Sequence, residues 1–332
     1  MKAYIKDIAY YLPERVVTNE ELIEEFPEWS VDKIADKVGV LERHVAAPDE
    51  TATDLAVKAA EALFEVGVAK KSEIDFVMLC TQSPDFFLPS SSCIIQDRLG
   101  ISTGCGALDF NLGCSGYEYG LALAKGLIMS GVSKNVLLLT AETYNKYLHN
   151  RDKGNRTIFG DGASATVISA EGFAEIGQFS LGTDGSGANS LIVKTGASRQ
   201  PKKSNDLTID KGGNPRSSDF LFMDGQEIFM FTLVKVPMMM KEVLIKNYLQ
   251  KEDINLFVFH QANKYMLEHL RKKLKIEEDK YFVNLAKVGN TVSSTVPIAL
   301  YDAREEGKLK GNILLAGFGV GLSWGATIIK CQ

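Results

Sequence analysis

Residues 110–124 read FNLGCSGYEYGLALA, and the one group there with nucleophilic chemistry is the thiol of Cys114. An apolar run enters a Gly-Cys-Ser-Gly turn. A helical pattern follows, with Tyr117, Leu121 and Ala124 on one face. The turn sets Cys114 after a strand and at the start of a helix. Unpaired N–H groups and the positive end of the helix dipole meet there, and both favour a thiolate. The plainer reading is a small buried residue filling a turn.

The elements that would position this thiol occur twice. SEIDFVMLC (72–80) has a counterpart in EDINLFVFH (252–260), and FNLGCSGYEYG (110–120) has a weaker one in VNLAKVGNTVS (283–293). KNVLLLTAE (134–142) matches GNILLAGFG (311–319), and GASATVIS (162–169) matches WGATIIK (324–330). Four pairs in one order imply a duplicated α/β unit, with one copy near 1–170 and the other near 171–332. Helices are expected over 54–68, 117–131, 230–250 and 263–276, the second so apolar that it must be buried. Pro237 should kink or start a helical segment. Strands are expected over 75–80, 135–140, 256–259 and 312–316, all continuous apolar runs of the kind covered on both faces. Segment 195–219, rich in Gly, Pro, Ser and charge, reads as a poorly ordered surface insertion. A pseudo-twofold axis relating the copies would set Cys114 opposite the Gly-Asn-Thr loop at 289–291, and the strand ending in Cys80 would correspond to the one ending in His260. Cys114, His260 and Asn290 then lie at strand ends and helix starts, where open α/β sheets bind ligands.

Bulk properties narrow the class. The 332 residues are 45% hydrophobic and 24% charged, ordinary for a soluble globular chain. A net charge of -5 leaves no basic excess for nucleic acid. Five scattered cysteines without CxxC spacing, and four histidines, argue against zinc and for a reducing, cytoplasmic setting. The first residues read as a strand and a turn at Pro13, not as a signal peptide. No apolar run has membrane-spanning length.

FNLGCSGYEYGLA, HQANKYM (260–266), VGNTVSSTVP (288–297) and AGFGVGLSWGA (316–326) together resemble the β-ketoacyl-acyl-carrier-protein synthase III family of the thiolase superfamily. YLPERVVTNEEL (11–22), ERHVAAPDET (42–51) and IFGDGASATVI (158–168) extend the resemblance nearly end to end. It implies a thiolase-like fold of two βα halves in a five-layered αβαβα sandwich. It implies that Cys114 accepts an acyl group from a thioester, and that His260 and Asn290 bind the carbonyl oxygen of a malonyl thioester as carbon dioxide leaves. The enolate would then attack the acyl-Cys114 thioester. The amides of Cys114 and Val320 would serve the oxyanion, each worth about 3 kcal/mol. Acyl carrier protein, coenzyme A or another acyl carrier, and a second copy in a homodimer are the implied partners. No metal or organic cofactor is implied. An acyltransferase acting on an alcohol, an amine or a β-keto acid, and a non-catalytic carrier-protein partner, are the alternative readings.

The motifs separate relatives. Thiolases carry a second reactive cysteine in the C-terminal glycine loop, which here is GFGVG, and elongating synthases use two histidines where this chain has His260 and Asn290. His44, His149 and His269 read as structural or solvated, Cys80, Cys93 and Cys105 as core or near-core thiols, Cys331 as idle, and Asp161 as a turn residue. The family holds the adenine of coenzyme A between a Trp and an Arg. The nearest sites to the Trp and its companion Arg hold Lys33 and Lys37, Lys153 replaces the stacking Arg, and Tyr265 replaces a tunnel-mouth Arg. Lysine stacks and forks poorly, so donor binding should differ. Leu88 stands where the family's dimer supplies an acyl-pocket aromatic. Lys264, Arg271, Lys272 and Lys273 resemble the basic docking patch for an acidic carrier protein; the plainer reading is a solvated helix end.

Overall fold

The computed structural model describes residues 2–210 and 212–331. The first half of the chain forms β1 (Tyr4–Tyr11), α1 (Ala52–Glu65), β2 (Phe76–Cys80), α2 (Ser91–Arg98), β3 (Gly106–Phe110), α3 (Gly116–Met129), β4 (Asn135–Glu142) and β5 (Gly162–Ser169). The second forms β6 (Ala174–Thr183), α4 (Gly225–Lys246), β7 (Ile254–Phe259), α5 (Lys264–Leu274), β8 (Tyr281–Phe282), α6 (Thr295–Glu305), β9 (Gly311–Gly319) and β10 (Ser323–Cys331). Both sets run strand, helix, strand, helix, strand, helix, strand, strand.

The strands follow the order β8-β7-β9-β10-β6-β1-β5-β4-β2-β3. The middle joint, β1 to β6, is made only by Tyr4 opposite Glu175 and Ile5 opposite Ala174. On either side of it the same order of five strands is repeated outward. β2 is parallel to β3 and β4, as β7 is to β8 and β9. The remaining pairs within each half are antiparallel.

Helices α3 and α6 each touch strands of both halves and make the central layer, with α1 and α2 on the outer face of the first half and α4 on that of the second. Strand alternation explains the continuous apolar runs. Leu137 and Leu139 of β4 pack outward with Leu55 and Leu63 of α1, while Leu138 packs inward with Tyr117 and Leu121 of α3. On β9, Leu314 and Phe318 face the layer of α4, with Phe231 and Val243, while Ile313 and Leu315 face the centre. This is the five-layered thiolase-like architecture. Among the described residues, no helix is long and apolar enough to cross a membrane.

Several local expectations change. α4 starts earlier than the periodicity suggests, because the Asp224 side chain accepts from the Gln226 and Glu227 amides and caps it. Of the two readings of Pro237, a helix start is ruled out, because the residue lies inside α4. Segment 195–219 contains a two-stranded ribbon, Thr208–Ile209 with Pro215–Arg216. Asp206, Asp210 and Asp219 hold it by accepting from nearby backbone amides. Cys93 is exposed rather than near the core, and Cys331 is buried in β10.

The central helix also carries a charge type that sits poorly between sheets. Glu118 is fully buried, and neither of its carboxyl oxygens has a hydrogen-bond partner. Space for it comes from Gly317 and Gly325, which stand opposite each other on β9 and β10. A Cβ at Gly317 would overlap the Glu118 carboxyl, and one at Gly325 would lie 3.0 Å from the Glu118 Cβ. Burial raises the Glu118 pKa well above its ordinary 4.5, so the acid is neutral in the fold. Above 4.5 the unfolded chain ionises while the folded one stays protonated, so this group weighs increasingly against folding as pH rises, by at most about 1.4 kcal/mol per pH unit. Glu118→Met should therefore melt higher than the parent, by a margin that widens from about pH 5 to about pH 8. A margin constant across that range would mean that Glu118 is ionised in the fold.

Candidate active site

Cys114 lies in the turn between β3 and α3, closed by the Gly116 amide donating to the Gly113 carbonyl at 2.7 Å. Only 6% of the residue is exposed. The sulfur presses against β9, where a Cβ at Gly319 would come within 2.8 Å of it. Gly317 and Gly319 face the central layer, so the strand is bare where Cys114 and Glu118 approach. The backbone amides of Val320 and of Cys114 itself lie close enough to the sulfur to favour its charged form.

The helix start does not yield a resting thiolate, as the sequence alone suggested. Burial first, and then the nearby Glu142 carboxyl, push the Cys114 thiol up to about 12, against the smaller opposing pull of the two amides. The free site holds a thiol.

His260 follows β7 and is buried. Its amide donates to the Ala316 carbonyl at 2.7 Å, which docks it beside β9. Its ring meets Phe318 edge-on, with centroids 5.8 Å apart. Nδ1 lies 2.7 Å from the Thr295 hydroxyl, which also reaches the Val292 carbonyl at 3.1 Å. Burial lowers the ring's pKa to about 3, so the imidazole is neutral.

Asn290 is pinned at both ends of its backbone, donating to Ile158 at 2.9 Å and accepting from Gly160 at 3.0 Å. Its Oδ1 accepts from the Val292 amide at 2.9 Å, and its Nδ2 reaches the Ala262 carbonyl at 3.4 Å. The oxygen is thus occupied, and the side chain offers its NH₂ beside the turn that follows His260. Val292 joins the set. Its amide serves Asn290, its carbonyl serves Thr295, and its side chain would lie 3.3 Å from a Cβ at Gly113. It holds φ 57, a left-handed conformation rare for a β-branched residue. The structure therefore brings Cys114, His260 and Asn290 to one locality, linked through Val292, Phe318 and Val320.

A cavity of about 790 Å³ opens beside it, lined by Gln82, Asn111, Tyr144, Leu191, Leu221 and Val320 among others. Four residues of this locality were missed in the sequence. Glu142 and Gln82 end or follow apolar strands, Thr295 opens α6, and Tyr144 follows β4. The only textual signal was a lone acid closing the run KNVLLLTAE.

The remaining candidates lie apart from the cysteine. Leu88 is 82% exposed, in a run with Phe86 and Phe87. Lys153 is paired with Glu28 at 2.7 Å. Lys37 is exposed, and Lys33 sits 5.0 Å over the ring of Trp29, so an indole stands in the turn just before the helix that carries both lysines. Tyr265 stacks against His269 and Phe229. On α5, Lys272 and Lys273 are exposed, Lys264 is half-buried, and Arg271 is engaged by the Ile276 carbonyl and Glu278. Asp161 does more than serve a turn: buried, it accepts from the Ala46 amide at 2.9 Å and the Asn145 amide at 3.0 Å.

The bare face of β9 makes a direct prediction. Gly319→Ala should slow iodoacetamide labelling of Cys114 by about tenfold or more while the protein stays folded by circular dichroism. Unchanged labelling would show that the sulfur does not rest against this strand.

Comparison with known proteins agrees with this geometry. Residues 108–185 match the 3-oxoacyl-(acyl-carrier-protein) synthase III family, and residues 244–331 match its C-terminal part. The chain is 37% identical over 327 residues to β-ketoacyl-(acyl-carrier-protein) synthase III of Caldanaerobacter subterraneus, covering 96% of this chain and 95% of that one. It is 39% identical over 324 residues to the same-named protein of Clostridium perfringens, covering 96% of each. A crystal structure of a 3-oxoacyl-(acyl-carrier-protein) synthase III superposes with a TM-score of 0.97 at 50% identity, over 99% of this chain and 100% of that one. That of a 3-oxoacyl-(acyl-carrier protein) synthase from Burkholderia xenovorans gives 0.91 at 32%, over 100% and 95%. The fold, the near-complete coverage and the levels of identity lead to one conclusion: the chain belongs to the 3-oxoacyl-(acyl-carrier-protein) synthase III family.

Proposed function

We propose that the chain catalyses the decarboxylating Claisen condensation of an acyl thioester with malonyl-acyl-carrier protein, through an acyl group on Cys114, and so initiates fatty acid or related chain synthesis. The observation that carries this reading is the seating of the Cys114 sulfur against bare Gly319 of β9, with Val320 and Val292 packed on the same turn and the neutral side chains of His260 and Asn290 held in the same locality. The names of the full-length relatives support the same class of reaction.

In the first half-reaction the Cys114 sulfur attacks the thioester carbonyl, the donor thiol leaves, and the Cys114 proton goes to it. The developing oxyanion would lie between the amides of Cys114 and Val320, which are fixed before the reaction and need no reorganisation. In the second, the malonyl carboxylate leaves as carbon dioxide and its bonding pair becomes an enolate. Neutral donors suit that step, because they stabilise an oxygen gaining charge without neutralising the departing carboxylate. Asn290 would donate through Nδ2. His260 would donate through Nε2 in the tautomer whose bare Nδ1 accepts from the Thr295 hydroxyl, which for that turns away from the Val292 carbonyl. The enolate carbon then attacks the acyl-Cys114 carbonyl, the carbon–sulfur bond breaks, and the sulfur takes a proton.

The partners follow from the same reading. Lys272 and Lys273, exposed at the end of α5, are the cations available to an acidic carrier protein. The Phe86–Leu88 run would be covered in a homodimer, with Leu88 forming part of the mate's acyl pocket. The acyl donor is coenzyme A or a carrier protein. No cofactor or metal enters these steps.

Intact-protein mass spectrometry after incubation with acyl thioesters should show one acyl adduct, absent in Cys114→Ala. Adding malonyl-carrier protein should discharge it with release of carbon dioxide. Thr295→Val should slow that release by roughly 10- to 100-fold while leaving acyl loading near normal, and Thr295→Ser should restore it. With His260 already neutral, the rate of release should show no inflection near 6.5, the ordinary imidazole value. An adduct that persists in Cys114→Ala, or discharge without carbon dioxide, would refute the assignment.

A further inference from the structure

Glu142 ends β4 behind the Cys114 turn, fully buried and without a cationic partner among its hydrogen bonds. Its carboxyl ties two separate pieces of chain to its own strand. The Gln82 amide donates to both oxygens, at 3.0 and 3.1 Å. The Ser83 hydroxyl lies 2.8 Å from Oε2, and the Ser293 hydroxyl lies 3.2 Å from Oε1. Gln82 and Ser83 follow β2 of the first half. Ser293 belongs to the second half, in the segment that carries both Asn290 and Thr295.

The first-half end of this tie reaches the nucleophile's turn. Gln82 Nε2 donates to Asn111 at 3.0 Å, its Oε1 accepts from the Tyr144 hydroxyl at 2.6 Å, and that same oxygen would lie 2.7 Å from a Cβ at Gly113. The second-half end supports the pair His260 and Asn290. A Cβ at Gly116 would lie 3.5 Å from the Ser293 Cβ, so helix and loop meet directly beside the tie.

We propose that Glu142 is a positioning residue of the condensation, fastening the loop behind Cys114 to the segment that orients His260 and Asn290. The inference rests on Cys114 being the nucleophile. The titratable groups around the carboxyl are Cys80 at the end of β2, Cys114, Tyr144 and Tyr147 after β4, and Asp161 before β5. None of them is a cation, and burial raises Glu142 to about 8. The carboxyl is neutral below that value and charged above it. The sulfur is therefore unopposed by Glu142 in acid, and in base the carboxylate opposes its ionisation.

Glu142→Gln removes the charge and keeps a group that can accept from Gln82 and bond to both serines. The test is the rate of iodoacetamide labelling of the Cys114 peptide, read by mass spectrometry, which needs no acyl substrate and so stands apart from any failure of the condensation. At about pH 6.5 parent and variant should react alike, and at about pH 9 the variant should react about threefold faster or more. Ser293→Ala severs the second-half end of the tie and keeps the carboxyl, with one fewer bond favouring its charged form. It should keep the parent's labelling rate at about pH 6.5, where Glu142 is neutral in both, while slowing carbon dioxide release from the acylated enzyme by about tenfold. Equal rates for parent and Glu142→Gln at both pH values, or a Ser293→Ala enzyme with parental carbon dioxide release, would overturn the proposal.

Discussion

The site depends on the close approach of one helix start to one strand stripped of side chains. α3 lies between the two halves of the sheet, and its first turn meets β9 where Gly317 and Gly319 present no Cβ. Any side chain at either position would overlap the Cys114 turn or Glu118. That contact joins the Cys114 thiol from the first half to the loop of Val320 from the second. The duplicated topology makes the approach possible, because each half delivers its third helix to the same central layer. Cys114 precedes α3, while Asn290 precedes α6, its counterpart.

A second consequence is electrostatic. Burial leaves the thiol of Cys114, the imidazole of His260 and the carboxyls of Glu118 and Glu142 biased toward their neutral forms. The resting site contains no thiolate–imidazolium pair. What it offers is oriented dipoles: a carboxamide fixed through its oxygen and an imidazole fixed through Nδ1, beside the bare strand at Gly319. Such groups act most strongly on charge that appears only during the reaction. The strained Val292 backbone, held by Asn290 and Thr295, shows how much local structure is given over to that orientation.

The fold was legible in the sequence because its strands are buried on both faces and its halves repeat in order. β2, β4, β7 and β9 all fell on continuous apolar runs, and each found its counterpart. The clustering of Cys114, His260 and Asn290 was legible through the family resemblance and through the symmetry that set their loops face to face. What escaped was the polar network behind it. Glu142 looked like the polar end of an apolar strand, and Glu118 like one exception in a greasy helix. Only tertiary contact distinguishes an acid that leaves the core from one that stays within it. The thiolate expectation failed for the same reason, since helix-dipole arguments carry no information about desolvation. Pro237 and segment 195–219 show the local counterpart: packing carries α4 through the proline, and three aspartates order a segment whose composition suggested little structure.

The central claim is that the acyl carbonyl on Cys114 is received by amides from both halves of the chain. A crystal structure of the acylated enzyme tests it most directly. The acyl oxygen should lie about 2.9 Å from the amide nitrogens of both Cys114 and Val320, with the acyl chain leading into the cavity beside Tyr144. An acyl oxygen turned away from Val320, or an acyl group borne by a different residue, would contradict the account.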